Sequence, residues 1–336
     1  MQVRVNNEFG KLKSIILGRP EGAVWPSGDI FFDRITSLST YPTKIVKGKI
    51  SEKIIDEARA DMWYVKDVLE DHGVTVFRPE IVDWSEYTSA NGHTTTGMHT
   101  YSTRDLLLSI GDMVIECPTP YLSRQHEFKA YDEIRQQAIK DGCRWIAAPR
   151  PRMEDKECVI NNSKIELTER YPIFDAANVM KFDDKLLYLQ SSTGNLTGAK
   201  WLQSVVGSSY EVIVWNGVYS FAHIDSTISS IAPNTVLLNA SRVTEENIPA
   251  FMKDYKKIWV KDVKERQFDT YPYASKWIGM NVLSIDPETI MVDTIQKDLQ
   301  QQLKQEGFKI VESGLRHSRT LGGGHHCITC DLEREV

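Results

Sequence analysis

The chain has 336 residues, 41% of them hydrophobic and 26% charged, with a net charge of −6. This is globular composition with material for a full core, which excludes a disordered, collagenous or coiled-coil chain. The acidic balance argues against nucleic acid or an anionic membrane as partner, no apolar run reaches bilayer length, and Met1 to Gly10 lack the apolar stretch of a secretion signal. Five cysteines (Cys117, Cys143, Cys158, Cys327 and Cys330) are too few and too scattered for a disulfide framework, so the reducing cytoplasm is the expected compartment.

In chain order, the first expected element is a strand over Leu12 to Leu17. Arg19 to Lys49, broken by Pro20, Pro26 and Pro42, reads as loop. Ser51 then caps a long helix through Leu69, Gly73 ends it, and Val74 to Phe77 is a strand. Thr94, Thr95 and Thr96 belong to another loop at a pocket mouth. From Asp105 a unit of strand, tight turn, strand, helix and strand begins to repeat. In its first copy Leu106 to Ile110 and Met113 to Ile115 flank Gly111-Asp112. A helix follows from Ser123 to Lys140, with Phe128, Tyr131, Ile134 and Ala138 at helical spacing, and after Gly142 a strand runs from Arg144 to Ala148.

The second copy has strands at Ala176 to Phe182 and Leu186 to Gln190, a helix from Asn195 to Val206 ended by Gly207, and a strand at Tyr210 to Trp215. The third has Ser226 to Ile231, Thr235 to Leu238 and a helix near Glu245 to Lys256. The fourth has Met280 to Ile285, Ile290 to Val292, a helix from Thr294 to Gln305 and a strand at Phe308 to Val311. No linker separates the copies. A ring of similar modules spanning 1–336 as one domain is therefore expected, closed by His326 to Asp331 pairing with Leu12 to Leu17 so that no sheet edge stays open.

Residues suited to chemistry stand just ahead of the first strand of each copy: Arg104 and Asp105, Asp175, His223 with Asp225, Ser275 and Lys276, and Cys327. A ring brings such positions to one end of its axis. Cys327 follows Gly322, Gly323, Gly324, His325 and His326, and it admits several readings. It is a redox partner of Cys330, a zinc ligand, a nucleophile with His223 as its base, or a buried apolar-like side chain. Residues three apart on a strand face opposite ways, and no second Cys/His pair has zinc spacing, which weighs against the first two. Asp225, two residues beyond His223 on an expected strand, would share its face. Three carboxylates, an imidazole and a thiol suit a planar cation such as a guanidinium: carboxylates hold its nitrogens, and a thiolate attacks its carbon.

Four spaced motifs carry a resemblance. Phe174-Asp-Ala-Ala-Asn178, His223-Ile-Asp-Ser-Thr227, Ser275-Lys-Trp-Ile-Gly-Met-Asn-Val-Leu283 and Leu321-Gly-Gly-Gly-His-His-Cys-Ile-Thr-Cys-Asp331 resemble the L-arginine amidinotransferases. Asn195 to Gln203 and His317 to Leu321 are similar to the inosamine-phosphate type more than to the glycine type. The resemblance implies the pentein fold, a five-bladed αβ propeller. It implies Cys327 as nucleophile, His223 as general acid and base, Asp175 as its orienting carboxylate, Asp105 and Asp225 on the amidino nitrogens, and Arg242 and Ser275 on the donor's α-carboxylate. It further implies a ping-pong reaction from L-arginine to an amine, release of ornithine, no metal or organic cofactor, and a homodimer or higher assembly.

Some positions depart from the family. Ser220 and Ala222 stand where the glycine type carries Asn and Met, which implies room for an acceptor bulkier than glycine, such as a diamine or aminocyclitol. His325 replaces an aromatic residue and is expected to face away from the thiol, and Thr103 replaces a proline. Three other functions use the same frame: glycine amidinotransfer, hydrolysis of arginine to citrulline, and non-catalytic binding.

Overall fold

The structure, a computed structural model, describes all residues except 39, 40, 42, 43, 91 and 336. Among the described residues, five three-stranded sheets share one connectivity: two antiparallel strands, then a crossover to a third strand parallel to the second. The first four blades comprise Leu107–Ile110, Met113–Glu116 and Arg144–Ala147; Val179–Phe182, Lys185–Leu189 and Glu211–Trp215; Ile228–Ala232, Thr235–Asn239 and Lys256–Val260; and Leu283–Asp286, Thr289–Asp293 and Lys309–Ser313. The fifth joins the two ends of the chain: Thr329–Arg334 pairs antiparallel with Leu12–Leu17, which runs parallel to Thr75–Phe77. This last pairing is the expected closure. The architecture is the expected α/β pentein propeller.

The tight turns inside the blades use residues that tolerate a left-handed backbone, with φ of +56° at Gly111, +53° at Asp183 and +49° at Asn234. Apolar side chains alternate onto both faces of each sheet and meet those of the next blade. Met180, Phe182, Leu187 and Leu189 of the second blade, for example, pack with Ile224, Ile228, Val236 and Leu238 of the third. Helix α1 (Ile30–Ser37) packs on Leu122, Ile165 and Ile173, while α2 (Glu52–Asp71), α3 (Asp132–Lys140), α4 (Leu196–Val206) and α5 (Lys297–Gln305) cover the blades. Ser51 caps α2 and Asn195 caps α4.

Several segments differ from the sequence reading. Glu245 to Lys256 forms no α-helix; it holds one 3-10 turn at Ala250–Met252, and Lys256 already opens a strand. Pro249 accounts for this, because it lacks an N–H and pushes Ile248 away from helical angles. Ser123 to Lys140 divides into a 3-10 segment, Arg124–Tyr131, and α3. In a 3-10 turn residues three apart eclipse, which suits the buried Arg124–Glu127 ion pair at 3.1 Å. The supposed loop from Arg19 to Lys49 contains α1, capped by the buried Asp29. Thr94 and Thr95 lie in a short hairpin of Thr88–Ala90 with His93–Thr95. A further hairpin, Cys158–Asn161 with Lys164–Leu167, carried no clear alternation in sequence.

Each first strand starts one to three residues later than its expected start at Leu106, Ala176, Ser226, Met280 or His326. In four blades the chain ahead of it winds into a 3-10 turn: Thr103–Asp105, Ala176–Asn178, Ile224–Ser226 and Lys276–Met280. Successive turns touch, and the first of them also touches the closing strand, so they crowd one end of the axis. Asp175, His223 and Ser275 stand immediately ahead of three of these turns.

Candidate active site

A cavity of about 420 Å³, within the range of small-molecule pockets, opens at this end of the axis. Asp105, Ala222, His223, Arg242 and Ser275 line it. Asp175, Asp225 and Cys327 lie under that lining, and Ser220 stands outside it, its carbonyl accepting from the Ser192 amide at 2.9 Å. Phe32 and Ile35 of α1, with Tyr271, Tyr273 and Phe221, make an aromatic and apolar wall.

His223 sits between two carboxylates. Its Nε2 is 2.9 Å from Asp175 Oδ2 and its Nδ1 3.5 Å from Asp105 Oδ1. Burial opposes the imidazolium, but Asp105, Asp175 and Asp225 outweigh it and bring His223 up to about 9. Asp175 is wholly buried, its amide donating to Asn178 Oδ1 and to Thr193 O, so its position is set by the second blade. Asp225 is not on a strand beside His223 as expected; it lies inside the 3-10 turn, with its Oδ2 at Cys327.

The Cys327 thiol donates to Asp225 Oδ2 at 3.1 Å. Burial, then the charges of Asp225 and Asp105, push this thiol well above its ordinary range. Cys327 and His326 are anchored through their amides, which donate to Asn281 Oδ1 at 3.1 and 2.9 Å. That approach requires glycine at 324, where a Cβ would lie 2.7 Å from Asn281 Cβ, and a Cβ at 323 would lie 2.5 Å from Ser102 Oγ. Cys330 turns elsewhere, with its sulfur 3.4 Å from Ser109 Oγ and 3.3 Å from Leu107 O, so the two thiols diverge. His325 is buried beside Asp293, Arg266 and Asp61, and burial brings it down to about 4. Among the described residues no His, Cys, Asp and Glu cluster has metal-holding geometry, and no helix is long and apolar enough to cross a membrane.

Asp105 and Asp225 have opposite surroundings. Burial raises Asp105 against the pull of His223 and of Arg124, whose NH1 is 2.6 Å from its Oδ2. Asp225 is held down at about 2: burial would raise it, but His326, His223 and the Cys327 thiol outweigh that. Arg242 stacks 3.6 Å over the Tyr219 ring and donates to Ser226 O, Ser226 Oγ and Thr227 Oγ1. Sequence reasoning missed Arg124, Asn281, His326 and Glu8. Arg124 and Asn281 sit inside segments read as ordinary helix and strand, and Glu8 precedes every expected element. His326 was visible only as the neighbour of Cys327.

No family model matches the chain. Along 336 residues it is 38% identical to inosamine-phosphate amidinotransferase 1 of Streptomyces griseus, spanning 99% of this chain and 97% of that protein. The chain belongs to the amidinotransferases of the pentein superfamily. The amidinotransferase is also 30% identical to the mitochondrial glycine amidinotransferase of Xenopus tropicalis, spanning 98% of this chain and 82% of that one. It superposes on the solved Streptomyces griseus enzyme with a TM-score of 0.95 at 37% identity, covering 99% and 97% of the two chains. On an amidinotransferase of the saxitoxin biosynthetic pathway from Microseira wollei the TM-score is 0.89 at 28% identity, with 99% and 98% covered.

Proposed function

We propose that this amidinotransferase moves the amidino group of L-arginine to a primary amine bulkier than glycine and releases ornithine, by way of an amidino-cysteine at Cys327. The observation that carries this reading is the Cys327 thiol bonded to Asp225, a carboxylate that also acts on the His223 imidazole flanked by Asp175 and Asp105. Asp105 and Asp225 hold the guanidinium nitrogens, and Arg242 and Ser275 hold the α-carboxylate. An anion beside Arg242 also relieves the burial that lowers this guanidinium.

In the free protein the thiol is protonated and His223 charged. The incoming guanidinium takes the place of the thiol hydrogen at Asp225, and its positive charge favours the thiolate, so one proton leaves to solvent. The thiolate attacks the guanidinium carbon. His223 gives its proton to the ornithine nitrogen as the carbon–nitrogen bond breaks, and the amidino group stays on sulfur. An acceptor amine then attacks that carbon, His223 takes its proton, and the sulfur departs as thiolate. Asp175 keeps the imidazole oriented throughout. Ala222, small and in the pocket wall, supports an acceptor larger than glycine.

The test is an acceptor screen with arginine labelled in its guanidino carbon, paired with intact-protein mass. Label on Cys327 in arginine alone, passed to diamines or aminocyclitols ahead of glycine, is the expected result. Best transfer to glycine, or label leaving as citrulline without added amine, overturns the acceptor assignment.

A further inference from the structure

The two carboxylates expected on the guanidinium are each backed by a nitrogen-bearing side chain, but in different ways. Asp105 has a direct ion pair with Arg124, whereas Asp225 has His326, which itself touches a second carboxylate, Glu8. The side chains of His326, Asp225 and Glu8 are 5%, 3% and 3% exposed. His326 Nδ1 lies 3.1 Å from Asp225 Oδ2, and Nε2 lies 3.3 Å from Glu8 Oε2. A neutral imidazole has one N–H and one lone pair, so it would set a lone pair against one of these carboxylates. Both contacts are attractive only when both nitrogens carry hydrogen.

Glu8 is itself fixed. Lys181 Nζ is 2.8 Å from its Oε1 and Arg104 NH1 3.2 Å from its Oε2. Burial raises Glu8, yet Lys181, Arg104 and His326 together hold it well below the usual carboxylate range. Arg104 reaches onward to Asp331 at 2.7 Å and donates through Nε to the main-chain oxygens of His326 and Thr329. His326 therefore faces Asp225 and Glu8, with Lys181, Arg104 and Asp331 behind and Cys327, His223 and Asp105 toward the pocket.

The same Asp225 oxygen accepts the Cys327 thiol at 3.1 Å. Once the thiol ionises, sulfur and Oδ2 become like charges at close range in a poorly screened site. We infer that His326, held as an imidazolium by Glu8, is a positioning residue that pins Asp225 Oδ2 and offsets its charge when Cys327 becomes a thiolate. The inference rests on the reading of Cys327 as nucleophile. Through it, a side chain ahead of the first strand acts on chemistry at the far end of the sequence.

The experiment follows single-turnover amidination of Cys327 by saturating arginine, by rapid quench and intact mass, from neutral to alkaline pH. His326→Gln slows it about tenfold at neutral pH and displaces the profile upward by about one pH unit, so the rate recovers in alkali. Glu8→Gln does the same, and the double variant is no slower than His326→Gln alone, as expected for two residues acting as one. An equal loss at every pH, or losses that multiply in the double variant, overturns the inference. Since a variant can fail to fold, NMR of wild-type protein with isotope-labelled histidine gives a second measurement. It finds both ring nitrogens of His326 protonated at neutral pH, and a neutral ring there overturns the inference. Wild-type protein that forms no Cys327 adduct overturns the functional reading, and the inference with it.

Discussion

Asp105 and His223 at the pocket floor, and Asp175 and Cys327 buried behind it, come from four blades, and each is held in or next to the turn that leads into a first strand. Phe32, Tyr273 and Phe221, at the wall, come from a helix and loops that belong to no repeat. The floor is made of charges whose neighbours are other charges. The wall is made of rings: Trp25 and Tyr273 stack with centroids 3.4 Å apart, and Phe32 lies stacked against both. A floor set by equivalent positions of a symmetric ring is hard to alter without loss of the reaction. A wall of inserted segments carries no such constraint from the ring.

The largest effect that separates them is at the thiol. Cys327→Ala is expected to lower amidino transfer by at least about 10⁴-fold, measured as ornithine release, and to remove the mass adduct. A Cys327→Ala protein that still transfers label would place the chemistry elsewhere.

Next comes pH. In the free protein His223 titrates at about 9 and Cys327 above its ordinary range, so the reactive pair of thiolate and imidazolium is a minor form. Below the His223 value one proton must leave the thiol, so kcat/KM for arginine rises about tenfold per pH unit. It levels off near pH 9, where His223 itself loses its proton and each gain in thiolate is matched by a loss of imidazolium. Asp175→Asn removes a charge that raises His223, and the break in the profile moves to lower pH. A profile that already levels off at neutral pH in the wild type would contradict the carboxylate clamp around His223.

The same division explains what was legible in the sequence. The repeat of strand, turn and strand exposed the blades, and the residues ahead of each first strand were recognisable because symmetry makes them equivalent. The 3-10 turns were not, since Asp105 or Asp225 ahead of an apolar run looks alike on a strand or a turn. Asp225 consequently bonds Cys327 from within a turn, where a strand would give it only a face shared with His223. Arg124 and Glu8 escaped because a charged residue's burial depends on partners far along the chain, at Asp105 and Lys181. The wall escaped for another reason: α1 lies among prolines, and Tyr271 and Tyr273 follow a stretch without periodicity.

A third, smaller effect tests the wall as the seat of acceptor choice. Ala222→Met returns side-chain volume beside His223. It is expected to shift the kcat/KM ratio of bulky acceptors to glycine by about tenfold toward glycine, the scale of one or two methylenes in a fitted pocket. An unchanged ratio in an acceptor competition assay would mean that the acceptor approaches from another side of the cavity.

The smallest effect asks how tightly the wall is held. Tyr273 OH donates to Val46 O at 3.0 Å, and the Tyr273 and Ala274 amides both donate to Arg319 O. Arg319 is fully buried, paired with Glu265 and stacked 4.8 Å over the Phe268 ring. Tyr273→Phe keeps the ring stack and the main-chain bonds and removes only the hydroxyl. The expected cost is about 1 kcal/mol by denaturant titration, the net worth of one hydrogen bond whose acceptor regains water. The acceptor KM is expected to move more than kcat, because the hydroxyl ties the pocket wall to Val46 and not to Cys327 or His223. A fall in kcat at unchanged KM would instead tie the wall to the reaction itself and erase the division between the two regions.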